Sequence, residues 1–364
     1  MQLSKQEDTP AGLGIVKEWT ACAPSSWIVK AEDLEPLPKD FPLEKTHCEI
    51  REDVSVVATR ISSALRSLSI ESTFCSKNVE AMCQTEDCVR FKVCMFAGGG
   101  DDGQPIIVEV QKRYGPSFLF SRTCRVLLNA AKGVAPQSPK PAQSPKTLPP
   151  VCNMKCLQGV AAVEATHEDA AAQLHTVTRM LSSERSDERI LALENLTCLT
   201  DPTKTSASVS RQVSQAFLRD ETLRNDVLLS ISRTDPLGER YESYIVSDRA
   251  TYSTLCAFGN ALEQLRDDGL AELMVADAWF RVDLVPALLN QIAEESQHNN
   301  AYQGTRSLLS LLQGGGSEVA KTVFKAGGTE ILSKACDRGV RSHERLKREA
   351  KLCLAVLSEL EPSD

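Results

Sequence analysis

Residues 134–150 constrain the fold of this chain more than any other stretch, because they are rich in proline and poor in apolar side chains. Their sequence is Val-Ala-Pro-Gln-Ser-Pro-Lys-Pro-Ala-Gln-Ser-Pro-Lys-Thr-Leu-Pro-Pro. Such a segment cannot contribute to a hydrophobic core and is typical of an extended linker. A chain of 364 residues also exceeds the size at which a single core stops growing. We therefore expect a multidomain protein with one folded domain on each side of this linker.

The composition is that of a globular protein without a membrane or disulfide signature. Hydrophobic residues make up 42% of the chain but aromatic residues only 5%, which favours aliphatic packing between helices. The 13 cysteines are an odd number spread over the whole length, unlike the dense spacing of a secreted disulfide framework. No apolar run approaches the length of a membrane span, and no secretory leader follows Met1. We expect a cytoplasmic or nuclear protein with reduced thiols.

The negative charge of the chain is concentrated after the linker. The formal net charge is -8. Residues 151–364 carry 23 Lys and Arg against 31 Asp and Glu, whereas residues 1–133 carry 16 against 18. Nucleic-acid binding needs clusters of Lys and Arg that neutralise phosphates, so we expect no nucleic-acid partner. The partner that this charge favours is a protein or extended peptide segment that is basic or neutral.

The part before the linker predicts a mobile arm and a small α+β domain. Residues 1–46 are polar or proline-containing without sustained periodicity, and we expect a mobile arm and an extended lead-in. The domain at residues 47–133 is expected to contain a helix, a four-stranded antiparallel sheet and a closing helix. Apolar residues recur at helical spacing in residues 53–68, and Ser117 can cap the closing helix. The expected strands are residues 70–74, 80–85, 89–96 and 105–113.

Two segments of this domain resemble the kinase-associated domain found at the C-terminal end of some protein kinases. They are Val-Arg-Phe-Lys-Val at residues 89–93 and Val-Gln-Lys-Arg-Tyr-Gly-Pro-Ser-Phe at residues 110–118, followed by the helix that contains Cys124. The resemblance covers roughly residues 47–133. It implies an acidic phospholipid surface or a kinase domain as the ligand.

Beyond the linker the sequence predicts an all-α domain at residues 151–361. Apolar residues recur at helical spacing, and the loops between the helical segments are short. Ala-Leu-Glu-Asn-Leu at residues 192–196 recurs as Ala-Phe-Gly-Asn-Ala at residues 257–261. Looser echoes of this motif occur at residues 307–311 and 353–357, which is a weak internal repeat.

These repeats resemble the armadillo family. The segment Val-Phe-Lys-Ala-Gly-Gly-Thr-Glu-Ile-Leu at residues 323–332 strengthens the resemblance, since armadillo repeats commonly turn at such a step between helices. The resemblance covers roughly residues 155–360. It implies an armadillo-like solenoid with a concave binding face.

Asn195 and Asn260 are the candidate peptide-binding residues of this domain. In armadillo proteins an asparagine on the third helix of a repeat binds the backbone of an extended peptide, and these two residues stand at the matching positions. The two looser echoes lack the asparagine. The alternative is that Asn195 and Asn260 are helix-surface or inter-repeat residues, and a motif match alone does not decide between the two interpretations.

Five basic residues are candidates for contact with an anionic membrane. They are Lys112, Arg113, Arg122, Arg125 and Lys132. The last three share one face of the closing helix, and each basic group near an anionic surface contributes about 1 kcal/mol to binding. This predicts weak membrane recruitment as an alternative function. The competing interpretation is an ordinary solvated helix face.

No pattern in the sequence predicts catalysis, a metal site or a cofactor. The glycine run at residues 314–316 lacks the ending of a phosphate-binding loop, and the run at residues 98–103 contains two aspartates that would repel phosphate. Both runs are interpreted as turns. Two sets of cysteines lack the paired spacing of a zinc site, namely Cys83, Cys88 and Cys94, and Cys152 and Cys156. We therefore expect a non-enzymatic adaptor or scaffold that binds protein through the concave face of helical repeats.

Overall fold

The structure of the protein is a computed structural model. It describes residues 27–37, 42–43, 45–75, 78–98, 105–134, 167–232, 241–267 and 269–360. The predicted arm up to residue 26, the linker after Val134 and the start of the helical region up to residue 166 lie outside the described residues. So do Cys152 and Cys156.

A five-stranded antiparallel sheet with two helices forms the N-terminal part of the described chain. Its elements are β1 (His47–Ile50), α1 (Val54–Ser67), β2 (Glu71–Cys75), β3 (Glu80–Gln84), β4 (Arg90–Ala97), β5 (Ile106–Tyr114) and α2 (Ser117–Ala131). The strand order is β1-β5-β4-β3-β2. The predicted small sheet with flanking helices is confirmed, but the prediction of four strands is wrong, because β1 pairs with β5 at the edge of the sheet. Four residues are too few for the alternation of a strand to be recognised.

The core of this part lies between the sheet and the two helices. Alternation along β4 buries Phe91, Val93 and Met95, as a period of two requires. The Asp53 side chain caps α1 by accepting from the Ser55 backbone N–H. The helices contribute buried stripes to the same core, namely Val54, Val57, Ile61 and Leu65 from α1 and Phe120, Cys124, Leu127 and Ala131 from α2.

Residues before His47 also belong to this core. Trp27 is 2% exposed, and its ring stacks on Phe74 with the centroids 5.3 Å apart. Val29 is buried in the same cluster, and Pro36 forms a parallel bridge with Ala97. Within the described residues, the core therefore includes Trp27 and Val29 in addition to the domain expected from His47 onward. We call the described residues from 27 to 134 the sheet unit.

The described residues from 167 onward are mostly helical, as predicted. The α-helices are α3 (His167–Leu181), α4 (Ser186–Thr200), α5 (Ala207–Arg219), α6 (Glu221–Ser232), α7 (Tyr241–Leu265), α8 (Leu270–Ala276), α9 (Val285–Ala293), α10 (His298–Lys325), α11 (Gly328–Ser342) and α12 (Glu344–Leu360). A π-helical turn, Phe280–Leu284, leads into α9. Across the described ranges, no helix combines the length and the apolar character that a membrane crossing requires.

Four of these helices contact one another in chain order. α4 packs against α7, α7 against α10, and α10 against α12. We call these four helices the helix row. One continuous core lies between them and the remaining helices, with an aromatic cluster formed by Phe217, Phe258, Trp279 and Phe280.

Glycines shape the helices in two ways. The turn between α10 and α11 has Gly327 at φ 70°, a left-handed conformation that glycine adopts without strain. The expected turn at residues 314–316 is instead one break inside α10, at Gly316 with φ 52°. Gly315 lies against α8, where a Cβ atom would meet Met274 Cε at 2.5 Å. Close packing between α10 and α8 therefore explains why residue 315 is a glycine.

Candidate functional site: the seam between the sheet unit and the helix row

The sheet unit lies against the helix row along a polar contact surface, which we call the seam. Arg90 of β4 donates from Nη2 to Asp248 Oδ2 of α7 at 2.8 Å. Gln84 of β3 donates to the same oxygen at 3.2 Å and accepts from Arg90 Nε at 2.6 Å. The side chains of Arg90 and Asp248 are only 13% and 10% exposed. Because a buried charge is stable only beside a partner, Arg90 and Asp248 depend on each other.

Two side chains of the sheet unit cap helices of the row. The first N–H groups of an α-helix have no acceptor within that helix. Ser69 Oγ accepts from the Arg345 backbone N–H at the start of α12, at 2.9 Å. Glu71 Oε2 accepts from the Asn299 N–H at the start of α10, at 3.1 Å. The N-cap residue of α10, Gln297, makes no side-chain cap of its own. The sheet unit thus completes the ends of two helices.

A buried histidine holds Asn299 in place. His343 Nδ1 accepts from the Leu346 N–H at 3.1 Å, so Nε2 carries the ring proton and donates to Asn299 Oδ1 at 3.2 Å. Burial lowers the pKa of His343 to about 3 and that of His298 to about 4. Burial raises the pKa of Glu71 to about 7, against the opposing effect of the Asn299 N–H. Both rings are therefore neutral near pH 7, whereas Glu71 changes its charge there.

The turn between β3 and β4 places a carboxylate between α10 and α12. Glu86 Oε1 accepts from Gln303 Nε2 at 2.8 Å, and Glu86 Oε2 pairs with Arg345 Nη1. The side chains of Glu86 and Arg345 are 30% and 49% exposed, so this pair lies at the rim of the seam. Exposed ion pairs contribute about 0–1 kcal/mol, and Glu86 therefore orients the sheet unit more than it stabilises the contact.

A cleft of about 520 Å³ opens at the seam beside α4 and α7. Arg249 pairs with Glu194, and its guanidinium lies over the Tyr114 ring, 5.6 Å from the centroid. Burial raises the pKa of Cys88 to about 11, so this thiol stays protonated at neutral pH. The full lining consists of Asp87, Cys88, Tyr114, Gly115, Pro116, Glu194 and Arg249. The cleft offers carboxylates, a guanidinium and an aromatic ring for binding.

The structure places the two candidate peptide-binding asparagines differently. Asn260 of α7 is 8% exposed, its Nδ2 donates to the Thr197 carbonyl at 3.3 Å, and its Oδ1 accepts from Arg306 Nη1 at 3.0 Å. These bonds tie α7 to α4 and α10, which is the position of an inter-helix residue. Asn195 of α4 is half-buried. A peptide can reach Asn260 only by replacing bonds that the fold already uses.

The candidate lipid-binding residues lie on the surface of the sheet unit. Arg122 and Arg125 are exposed on α2, and Lys132, the C-cap residue of α2, is exposed as well. Lys112 Nζ donates to Ser117 Oγ at the start of α2, at 2.7 Å, whereas Arg113 Nη2 donates to Gln111 Oε1 within β5, at 3.0 Å. These five residues are not part of the seam.

The cysteines of the sheet unit are buried or partly buried thiols. Cys83 and Cys94 are buried, and burial raises the pKa of both. Within the described part of the chain, no group of three His, Cys, Asp or Glu side chains could hold a metal ion.

The residues of the seam stand in no sequence motif that predicts a contact surface. No motif around Arg90 or Asp248 predicts that the two residues pair. No known family, no curated protein and no solved structure matches this chain.

Proposed function

We propose that this chain is a non-enzymatic protein-binding adaptor whose helix row forms the concave face of an armadillo-like solenoid. The observation that supports this most is that the row already holds a protein surface. α7, α10 and α12 bind the sheet unit through side chains and through the N-termini of two helices. A binding face assembled from successive stacked helices is what helical repeats provide.

The first helix of the row, α4, is the best candidate for an external ligand. Leu191 is 55% exposed, Cys198 is exposed and Asn195 lies between them, so the three form one stripe at a spacing of four and three. Glu194 and Asp87 add two carboxylates at the adjoining cleft. A basic or neutral extended segment fits this end of the row, in a cytoplasmic or nuclear setting.

Photo-crosslinking from α4 tests this function. A photoreactive amino acid in place of Asn195 of the full chain is expected to crosslink to a discrete protein partner in extracts of the source cells. The matched control carries the same amino acid in place of Val275, which is 87% exposed on α8. Equal capture from both positions would contradict a binding face on the helix row.

The partner found in this way is then titrated against the Asn195→Ala variant. Loss of one neutral hydrogen bond is expected to weaken binding by about 0.5–1.5 kcal/mol while the fold stays intact. Asn260→Ala is the contrasting variant, since its carboxamide is used between helices and its loss should lower the thermal stability. Unchanged affinity in folded Asn195→Ala protein would place recognition elsewhere.

A second function, recruitment to an anionic membrane, is favoured by one specific observation. Phe118 is 77% exposed and lies on the same face of α2 as Arg122, Arg125 and Lys132, at spacings of four, seven and fourteen residues. An exposed aromatic ring beside basic side chains is the arrangement of an interfacial helix, in which the ring enters the headgroup region and the cations contact anionic lipid.

Liposome sedimentation tests this second function. The full chain is expected to bind phosphatidylserine vesicles weakly at low salt, and the Arg122→Ala, Arg125→Ala, Lys132→Ala variant should lose about 1 kcal/mol per residue. Added salt should reduce binding, because exposed charges are screened beyond about 10 Å at about 0.1 M ionic strength.

The control for charge removal replaces three exposed lysines of the helical region with alanine, namely Lys321, Lys325 and Lys334. This variant should bind the vesicles as the unmodified chain does. Salt-insensitive binding, or binding that survives the α2 variant, would exclude this face.

A further inference from the structure

The corner between α11 and α12 is basic although the helical region as a whole is acidic. Residues 337–349 contain five Arg or Lys against three Asp or Glu, whereas residues 151–364 contain 23 Lys and Arg against 31 Asp and Glu. Arg341, Arg345 and Arg348 are exposed, and Lys351 follows them on the surface of α12. The local charge is therefore opposite in sign to the charge of its surroundings.

Apolar side chains accompany these cations. Leu352 is 46% exposed and shares one face of α12 with Arg345 and Arg348, at spacings of seven and four residues. Val340, beside Arg341, is 45% exposed. A surface that combines cations with exposed apolar groups suits a protein segment that combines carboxylates with an apolar side chain.

The corner already receives carboxylates from the chain itself. Within α12, Arg348 pairs with Glu349 at 2.9 Å and Lys347 pairs with Glu344 at 2.9 Å. The third carboxylate comes from the sheet unit. Arg345 and Gln303 each take one oxygen of Glu86, which is how two donors recognise a carboxylate. The Glu86 pair lies at the rim, with the Arg345 side chain 49% exposed and the Arg348 side chain 64% exposed. Glu86 therefore covers only one end of the corner, and its weak, exposed pair can be exchanged for another.

We propose that the α11–α12 corner binds an acidic segment of a partner protein that carries an apolar residue beside its carboxylates, and that Glu86 occupies one position of this site in cis. This rests on the proposed function, since it names the class of partner for this end of the helix row. A nucleic acid fits less well, because the excess of eight acidic groups in residues 151–364, 31 less 23, repels a long polyanion. A short acidic segment contacts the basic corner alone.

Fluorescence anisotropy on the full chain tests the proposal with a labelled peptide of repeated Glu-Glu-Leu triplets. The unmodified chain should bind it in a salt-dependent manner, and the Arg345→Gln, Arg348→Gln variant should bind about tenfold more weakly, since two exposed ion pairs are lost. Glu86→Gln should strengthen binding by about threefold, because it releases Arg345 from its partner in cis.

The matched control is Lys334→Gln, which removes an exposed cation of α11 that pairs with Glu330 away from the corner. It should leave peptide affinity unchanged. The proposal is overturned if the peptide fails to bind, if Lys334→Gln weakens it as much as the corner variant, or if a labelled single-stranded oligodeoxynucleotide binds equally well. If any of these outcomes occurs while a partner is still crosslinked from position 195, the proposed adaptor function stands and only the proposed binding site at the α11–α12 corner is rejected.

Discussion

Replacement of Asp248 by alanine is expected to lower the free energy of unfolding by about 3 kcal/mol, because it leaves the Arg90 guanidinium buried without its counter-charge. Gln84 loses its acceptor in the same step. Urea unfolding of the full chain, followed by circular dichroism, measures the total loss. Hydrogen exchange of the Asn299 and Arg345 amides measures the seam itself, and both amides should exchange faster because the sheet unit caps them.

A double variant separates charge from packing at this position. Arg90→Met combined with Asp248→Leu removes both charges and keeps apolar volume, so it should lose much less stability than Asp248→Ala, and the remaining loss should come from the Gln84 amide without its two partners. Breaking an exposed pair should cost far less, and Arg185→Ala, whose partner Asp187 is equally exposed at 67%, is the control for that case. If the double variant lost as much stability as Asp248→Ala, the burial of an unpaired charge would not be the cause.

Local periodicity explains which elements could be predicted from the sequence. The alternation of residues 89–96 corresponds to β4, and the apolar stripe of residues 53–68 corresponds to α1, because a period of two or 3.6 is set by neighbouring residues. The closing helix is also found where it was expected, but Ser117 does not cap it: α2 begins at Ser117, its N-cap residue is Pro116, and it has no side-chain cap. β1 was missed because it has four residues and its partner strand lies about sixty residues further along the chain.

The seam depends on contacts between residues that are far apart in sequence. Arg90 and Asp248 are separated by 158 positions, and Ser69 and Arg345 by 276. A single carboxylate on a predicted helix gives no sign that an arginine from a strand will pair with it. Periodicity identifies the buried face of each element, but it does not identify which polar residues meet when two separately cored units come together.

The candidate binding residues also show that a sequence pattern does not reveal which side chains are in contact. Asn260 stands in a motif that resembles a peptide-binding repeat, yet its carboxamide bonds to Thr197 and Arg306 within the fold. The basic corner around Arg345 was hidden because a charge total over residues 151–364 averages it with the acidic groups elsewhere. Neither a motif nor a charge total contains the distances between side chains.

α11 and α12 approach each other closely at Gly339, and Gly339→Val is expected to destabilise the protein by about 3 kcal/mol. A Cβ atom at this position would lie 2.4 Å from the Lys347 backbone nitrogen and 2.7 Å from its Cα, so the helix backbone itself would have to move. Gly339→Ala should also destabilise the protein, although less, since better helix propensity offsets about 0.5–1 kcal/mol of the clash.

Ala355→Val, at an exposed position of α12, is the control: it isolates the helix-propensity cost of valine and should change stability by less than about 1 kcal/mol. Because α12 carries Arg345, the Gly339→Val variant should also bind the Glu-Glu-Leu peptide more weakly at the corner. Urea unfolding measures the loss of stability, and fluorescence anisotropy measures the loss of peptide binding. Unfolding parameters for Gly339→Val that match those of Ala355→Val would show that the two helices do not pack this closely in solution.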